Sequence, residues 1–184
     1  MISEAIFELE IVLNDVEPRV WRVIQVPNSV PLRKLHKVIQ TAMGWENCHL
    51  YNYERSGIVF GQPDPDYLDD TIDDRKIALC CLLKQEGDTM IYVYDFGDDW
   101  QHQVTLRRVL PEDAETIYPL CTDGANACPP EDVGGPHGYA DYLEALRDPD
   151  HEEHEQYLAW RGPFDPKAFD LRKVNRQLQR MKIL

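Results

Sequence analysis

The strongest constraint on the fold is a change of hydrophobic period near the start of the chain. Phe7, Leu9, Ile11 and Leu13 alternate with Glu8, Glu10 and Val12, the period of a half-buried strand. Asn14, Asp15 and Pro18 mark a turn. Residues 20–26 are strand-like again, with Arg22 and Gln25 among β-branched residues and Trp21, so the two segments pair as an antiparallel hairpin. Pro31 suits a first helical turn. Leu32, Leu35, Ile39 and Met43 then recur at helical spacing, and Gly44 stands where a C-terminal cap belongs. Residues 50–55 and 58–60 read as short strands around Ser56-Gly57. This ββαβ order is that of a β-grasp-like unit.

The later chain continues the mixture. Residues 77–83 form a short helix or strand, and 90–94 and 103–110 are strands whose connection is a hairpin tip. Residues 111–138 read as loop. Residues 139–146 and 150–160 read as helices, the second with Asp150 as N-cap and Glu153 completing a capping box. Leu171, Val174, Leu178 and Met181 give a last amphipathic helix. The expectation is one α+β domain over 1–184. It has a mixed, mainly antiparallel sheet and a helical C-terminal third; 1–110 is mainly sheet with one helix, 111–138 loop, and 139–184 helical.

Charge narrows the partners. The net charge is −14, and residues 61–160 carry most of it, with 24 acids against 6 bases. Such a body repels phosphate backbones, so nucleic-acid binding is disfavoured. Residues 161–184 are the exception, with 7 bases and 2 acids. Arg172, Lys173, Arg176, Arg180 and Lys182 flank the last apolar stripe, and they read as docking on the protein's own acidic surface. No apolar run approaches the ~18 residues of a membrane span, and the N-terminus shows no signal-peptide pattern. Five cysteines, an odd number, favour reduced thiols and a cytoplasmic location. Cys80 and Cys81, inside an apolar run, read as small buried hydrophobes.

Candidate chemistry lies in two turn-rich segments. The first is Tyr94-Asp95-Phe96-Gly97-Asp98-Asp99-Trp100-Gln101-His102. Asp95, Asp98 and Asp99 could hold Mg²⁺ or Mn²⁺ through oxygen ligands. The plainer reading is a tight turn, with Asp side chains capping backbone amides and Trp100 anchoring the strand. The second is Cys128-Pro129-Pro130-Glu131-Asp132-Val133-Gly134-Gly135-Pro136-His137. Cys121, Cys128 and His137 are weak zinc candidates, because no close C-x-x-C pair is present. His49 precedes a tyrosine-rich strand and could face the first segment across the sheet. His151 and His154 lie three apart in an acidic helix start, the wrong spacing for an H-E-x-x-H site. The acidic stretch 61–75 fails as a calcium loop and reads as solvated.

Several motifs in order resemble a known family. They are Trp21-Arg22 before the proline-led helix, Met43-Gly44-Trp45, His49-Leu50, the Asp95-to-His102 turn, Cys128-Pro129-Pro130-Glu131-Asp132 with Gly134-Gly135, and Asp148-Pro149-Asp150-His151-Glu152-Glu153-His154. Together they resemble the plasmid pRiA4b ORF-3-like family, whose members are also labelled insertion-element passengers or resolvases. The resemblance implies an α+β domain with a mixed sheet and carries no reaction. A resolvase needs a nucleophilic serine near an arginine cluster, and Ser3, Ser29 and Ser56 have no such company. Many members carry cysteine where this chain has Val133, which argues against an obligatory metal knuckle.

The functional expectation is a cytoplasmic binding or interaction module rather than an enzyme. Its candidate patch is His49, Asp95, Asp98, Asp99, Trp100, His102, Glu131 and Asp132, suited to a small cationic ligand or a protein partner. No cofactor is predicted outright. One rival is a divalent-metal hydrolase using the same patch with His102 as base. The other is a DNA-associated passenger acting through the basic last helix.

Overall fold

The computed structural model describes residues 5–64 and 70–181. Eight strands form one sheet: β1 (Ala5–Leu13), β2 (Trp21–Pro27), β3 (Tyr51–Arg55), β4 (Ile58–Gly61), β5 (Ile72–Asp73), β6 (Thr89–Tyr94), β7 (Trp100–Pro111) and β8 (Leu120–Ala125). The helices are α1 (Leu32–Met43), α2 (Leu79–Leu82), α3 (Gly135–Arg147), α4 (His154–Arg161) and α5 (Leu171–Leu178). The sheet order is β5-β4-β3-β6-β7-β1-β2-β8, antiparallel except for the β4–β5 pair. This is the expected α+β class with a mixed sheet. The first hairpin pairs Phe7 with Val26 and Ile11 with Arg22. The β3–β4 hairpin follows α1 in sequence but does not pair with β1; β6 and β7 stand between them.

One large core joins α1 to the sheet. Leu32, Leu35, Val38, Ile39, Ala42 and Met43 share it with Phe7, Leu9, Ile11 and Leu13. Strand alternation turns Glu8 away from that cluster, yet Glu8 is buried, held by Arg108 at 2.8 and 2.9 Å and by Gln25 at 3.0 Å. Gly44 takes φ 102° and donates to Gln40 O at 2.9 Å, ending α1 as its position in the sequence implies. The stop places Trp45 in the core, with its indole N–H on Pro129 O at 3.1 Å.

Four expectations need correction. First, residues 111–138 are not all loop, because β8 pairs with the outer edge of β2. Its sequence, Leu-Cys-Thr-Asp-Gly-Ala, has little apolar alternation. What recruits it is Arg22, whose guanidinium donates to Ala125 O, Asn126 O, Trp21 O and Ala42 O at 2.7–2.9 Å and stacks on Phe169. Second, α4 begins at His154 without a side-chain cap; Asp150 gives its N–H to Asp148 instead, so no capping box forms. Third, the stretch 61–75 is not simply solvated. Residues 65–69 lie outside the described residues, but Asp74 is fully buried between Arg33 (2.8 Å) and the Tyr51 hydroxyl. Fourth, Cys81 is exposed and Cys80 only half-buried, because α2 is a single turn near the surface. The last helix docks through its apolar stripe. Asp170 caps it, and Val174 and Leu178 are buried against β8 and α1; Lys182 lies outside the described residues. No described helix is long and apolar enough to cross a membrane.

Candidate functional site

The site forms where three chain segments meet at one end of the sheet. The first is the tip of the β6–β7 hairpin. Asp95 and Asp99 take φ 58° and 54°, a left-handed conformation that Asp tolerates better than most residues. Asp99 N–H closes the turn on Asp95 O at 2.7 Å, and Gly97 N–H donates to Asp95 Oδ1 at 2.9 Å. Capping therefore uses one carboxylate oxygen of Asp95 and leaves Oδ2 to point elsewhere. Asp95 N–H also donates to Leu50 O at 2.8 Å, which ties the tip to the second segment, residues 45–50.

The second segment is held by a buried polar network. Asn47 takes φ 58°, and its N–H donates to Gln40 Oε1 at 3.0 Å. Its side-chain oxygen meets His36 Nε2, while His36 Nδ1 meets the Tyr92 hydroxyl at 2.8 Å. Cys48 N–H donates to the Tyr94 hydroxyl at 3.1 Å. These restraints leave His49 on the rim, its ring against that of Tyr94 at 5.9 Å.

The third segment is the Pro129-to-Gly134 turn. Glu131 is buried, and its Oε1 accepts from Glu46 N–H at 2.8 Å and from the Tyr94 hydroxyl at 3.1 Å. Burial raises the Tyr94 phenol far above its ordinary range, so it stays protonated and able to donate. Arg161 fixes the Glu131 carbonyl at 3.2 Å. Asp98 Oδ2 accepts from Gly134 N–H at 3.2 Å, so the two turn-rich segments touch directly.

At their junction four side chains converge. His49 Nε2 lies 3.1 Å from Asp132 Oδ1, 3.5 Å from Asp95 Oδ2 and 3.9 Å from Glu131 Oε2. Both His49 Nε2 and Glu131 Oε2 are shielded from solvent, and neither makes a hydrogen bond among the described residues. A buried carboxylate oxygen without a donor costs about 1–3 kcal/mol or more. Among the described residues no lysine or arginine pairs with the carboxylates of Asp95, Glu131 or Asp132. Donors bound at 2.0–2.2 Å around a tetrahedral ion stand about 3.3–3.6 Å apart, so the spacings of His49 to Asp132 and Asp95 suit a shared cation, and those three residues form one triplet of possible ligands. Cys48 adds a thiol. Its Sγ, a ring nitrogen of His49 and a carboxylate oxygen of Glu131 lie within 4.8 Å of one another. Burial, with Glu131 and Asp132 nearby, pushes that thiol upward in pKa. A bound cation would reverse that effect.

Of the predicted patch, His49, Asp95, Glu131 and Asp132 come together. Asp98 bonds the Gly134 amide, and Asp99 holds Gln101 at 2.9 Å on the outside of the turn. Trp100 and His102 are corrections, since both are fully buried beneath the site. Strand alternation points His102 inward, where Nδ1 faces Tyr92 O at 3.1 Å and the ring meets Trp45 edge-on. Burial lowers its pKa to about 4, and with no exposure it cannot act as a solvent-facing base. Cys121, Cys128 and His137 also fail as a zinc site. Burial pushes the two thiols to about 11 and about 12, Cys121 Sγ is spent on Asp123 O, and His137 is exposed on α3. They form no ligand group among the described residues. Cys48 was not anticipated; its only signal was adjacency to His49.

Comparisons with known proteins agree with this architecture. The family model described as plasmid pRiA4b ORF-3-like protein matches residues 5–173. The uncharacterized protein y4hQ of Sinorhizobium fredii is 39% identical over 175 residues, covering 94% of this chain and 90% of its own. The crystal structure of MM3350 from Methanosarcina mazei Go1, a protein of unknown function, superposes with a TM-score of 0.84 at 37% identity. The match covers 93% of this chain and 98% of that one.

Proposed function

The chain belongs to the plasmid pRiA4b ORF-3-like protein family, and from that premise we propose that it is a metal-binding module. Its ion is held by His49 with Asp95 and Asp132, and Glu131 and Cys48 form a second triplet on the same histidine. The observation that carries this reading is the pair of solvent-shielded atoms without a hydrogen bond among the described residues, His49 Nε2 and Glu131 Oε2, 3.9 Å apart, with the carboxylates of Asp95 and Asp132 beside His49. The mixture of imidazole, carboxylate and thiol favours zinc or a similar transition ion over magnesium or calcium, which prefer all-oxygen shells. Such a module works where thiols stay reduced, in keeping with the five free cysteines. The hydrolase alternative loses its proposed base with the burial of His102. Docking of α5 through Val174 and Leu178 gives that helix a structural role without any nucleic acid.

Elemental analysis and native mass spectrometry of the untagged protein test the reading. One equivalent of zinc is expected, lost on combining His49→Ala with Asp132→Asn while the circular dichroism spectrum is kept. A protein that takes up no zinc, cobalt or manganese at micromolar concentration, or that binds them equally well after those changes, overturns it.

A further inference from the structure

A groove opens beside His49. It has a volume of about 520 Å³ and is walled by Arg33, Lys37, Asn47, Cys48, His49 and Leu50, with the buried ring of Tyr51 behind. That volume lies in the range of small-molecule sites. Its charge departs from the rest of the molecule. The chain has 33 acids against 19 bases, yet no carboxylate among the described residues lines this groove.

Its two cations are presented differently. Lys37 is exposed and forms no ion pair among the described residues. Arg33 is pinned from behind. Its Nε and Nη2 both reach Asp74 Oδ1 at 2.8 Å, and the fully buried Asp74 is itself held by the Tyr51 hydroxyl. Among the described residues this leaves the Nη1 edge of the guanidinium uncommitted, and it fixes the group's orientation. An arginine oriented in advance beside an exposed lysine is a common arrangement for anionic oxygens. Leu50, 62% exposed, supplies an apolar wall between this groove and a second cleft of about 340 Å³ that also contains the exposed Phe96.

We infer that this groove binds a small organic anion, a phosphate monoester or carboxylate with an apolar body. One anionic oxygen lies between Arg33 and Lys37, another reaches the ion at His49, and the apolar body rests on Leu50. This rests on the metal reading above and adds the ligand class. His49 joins the two, because it belongs both to the carboxylate cluster and to the groove wall. A metal held mainly by carboxylates would be a weak anion site alone. An acid-free groove next to it supplies the missing attraction.

The test is calorimetric titration with phenyl phosphate, benzoate and benzylamine, using zinc-loaded and metal-free full-length protein. Phenyl phosphate or benzoate should bind the loaded form, and benzylamine should not. Lys37→Glu should weaken anion binding by about tenfold or more, the worth of one charge-assisted contact. Zinc affinity, read by competition with a chromogenic chelator, should stay within about threefold of the parent. Lys37 is exposed, so the variant keeps its fold. Equal anion affinity in Lys37→Glu, or preference for benzylamine, overturns the groove assignment. Equal anion affinity with and without zinc overturns the shared coordination. Zinc uptake without any anion binding overturns this inference and leaves the metal module standing, whereas absence of zinc uptake overturns the metal module itself.

Discussion

Tyr94 donates its hydroxyl proton to Glu131 Oε1 at 3.1 Å, and so divides the Glu131 carboxylate into one satisfied oxygen and one unsatisfied one. The satisfied oxygen also accepts from Glu46 N–H, which makes Glu131 part of the structure as well as part of the site. These two roles can be separated by substitution. Glu131→Gln keeps the Oε1 acceptor and places an amide N–H₂ where Oε2 points at His49 Nε2. The metal-free variant should be as stable as the parent or more so, by up to about 1 kcal/mol, because a charge is removed from a crowded carboxylate cluster. Its zinc affinity should fall on the order of 100-fold. Glu131→Ala should instead cost about 2–4 kcal/mol, since it strands two buried donors and leaves a cavity. Urea unfolding with and without chelator measures both.

Zinc should stabilise the native state by mass action. At free ion 100 times above its dissociation constant the gain is about 2.7 kcal/mol, provided the unfolded chain does not bind it. For a chain of this size that corresponds to a rise in Tm of about 5–10 °C. Thermal scans in zinc and in EDTA should show the rise for the parent protein and none for the His49→Ala, Asp132→Asn double variant. An equal rise in both would mean that the ion acts elsewhere.

Much of the fold was legible because it rests on local patterns. The period-two run of Phe7 to Leu13, the Pro31 start and the Gly44 stop are each decided within a few residues. β8 was not legible, because its pairing depends on Arg22, about a hundred residues earlier, donating to Ala125 and Asn126 carbonyls. The candidate site divides in the same way. The turn-rich segments marked where polar groups would be held, and four of the eight predicted residues meet there. Which side chain of each turn faces the junction depended on features with no sequence signal of their own. These include the capping of Gly97 by Asp95 and the positive φ of Asp132. His102 stands next to a turn in the sequence, but the alternation of β7 turns it inward.

Two buried histidines make the fold sensitive to acid. Burial lowers both His36 and His102 from about 6.5 to about 4, so each is neutral in the native state at pH 5 while its unfolded counterpart is largely protonated. The unfolded state therefore binds more protons between those values, and stability falls as pH drops from about 6.5 toward 4. The loss is on the order of 3 kcal/mol per histidine across the window. Denaturant midpoints at pH 7, 6 and 5 should decline, and His102→Gln should reduce the slope by about half. A flat profile through this window would mean that neither ring is held neutral.

Arg22 should prove structural and independent of the site. It binds four backbone carbonyls, from β2, α1, the end of β8 and the residue after it, and stacks on Phe169 with 4.2 Å between the guanidinium carbon and the ring centroid. Lysine has the charge without the fork, so Arg22→Lys should lose about 2–4 kcal/mol by leaving buried carbonyls unpaired. Gly124→Ala should act in the same direction, because a Cβ there would lie 2.9 Å from the Arg22 side chain and 2.8 Å from Phe169. Neither change should alter zinc affinity measured below the unfolding transition.

Gly135 offers the opposite case, a residue that touches no ligand yet controls the site. It takes φ 69°, and an added Cβ would lie 2.6 Å from the carbonyl oxygen of Asp98. That Cβ would press on backbone, so the contact is relieved only by moving the start of α3 away from the hairpin tip. The Asp98–Gly134 hydrogen bond at 3.2 Å joins the same two segments and would break with it. Asp132 and Glu131 lie just upstream on the displaced turn, whereas Asp95 stays with the hairpin. Gly135→Ala should therefore separate the two halves of the ligand set. Zinc affinity should drop at least about tenfold, along with a stability loss of about 1–3 kcal/mol from left-handed strain and the lost contact. Asp98→Asn, which keeps a carbonyl acceptor for Gly134, should leave zinc affinity nearly unchanged. If Gly135→Ala binds zinc as tightly as the parent, the ion is not held across the junction of the two turns.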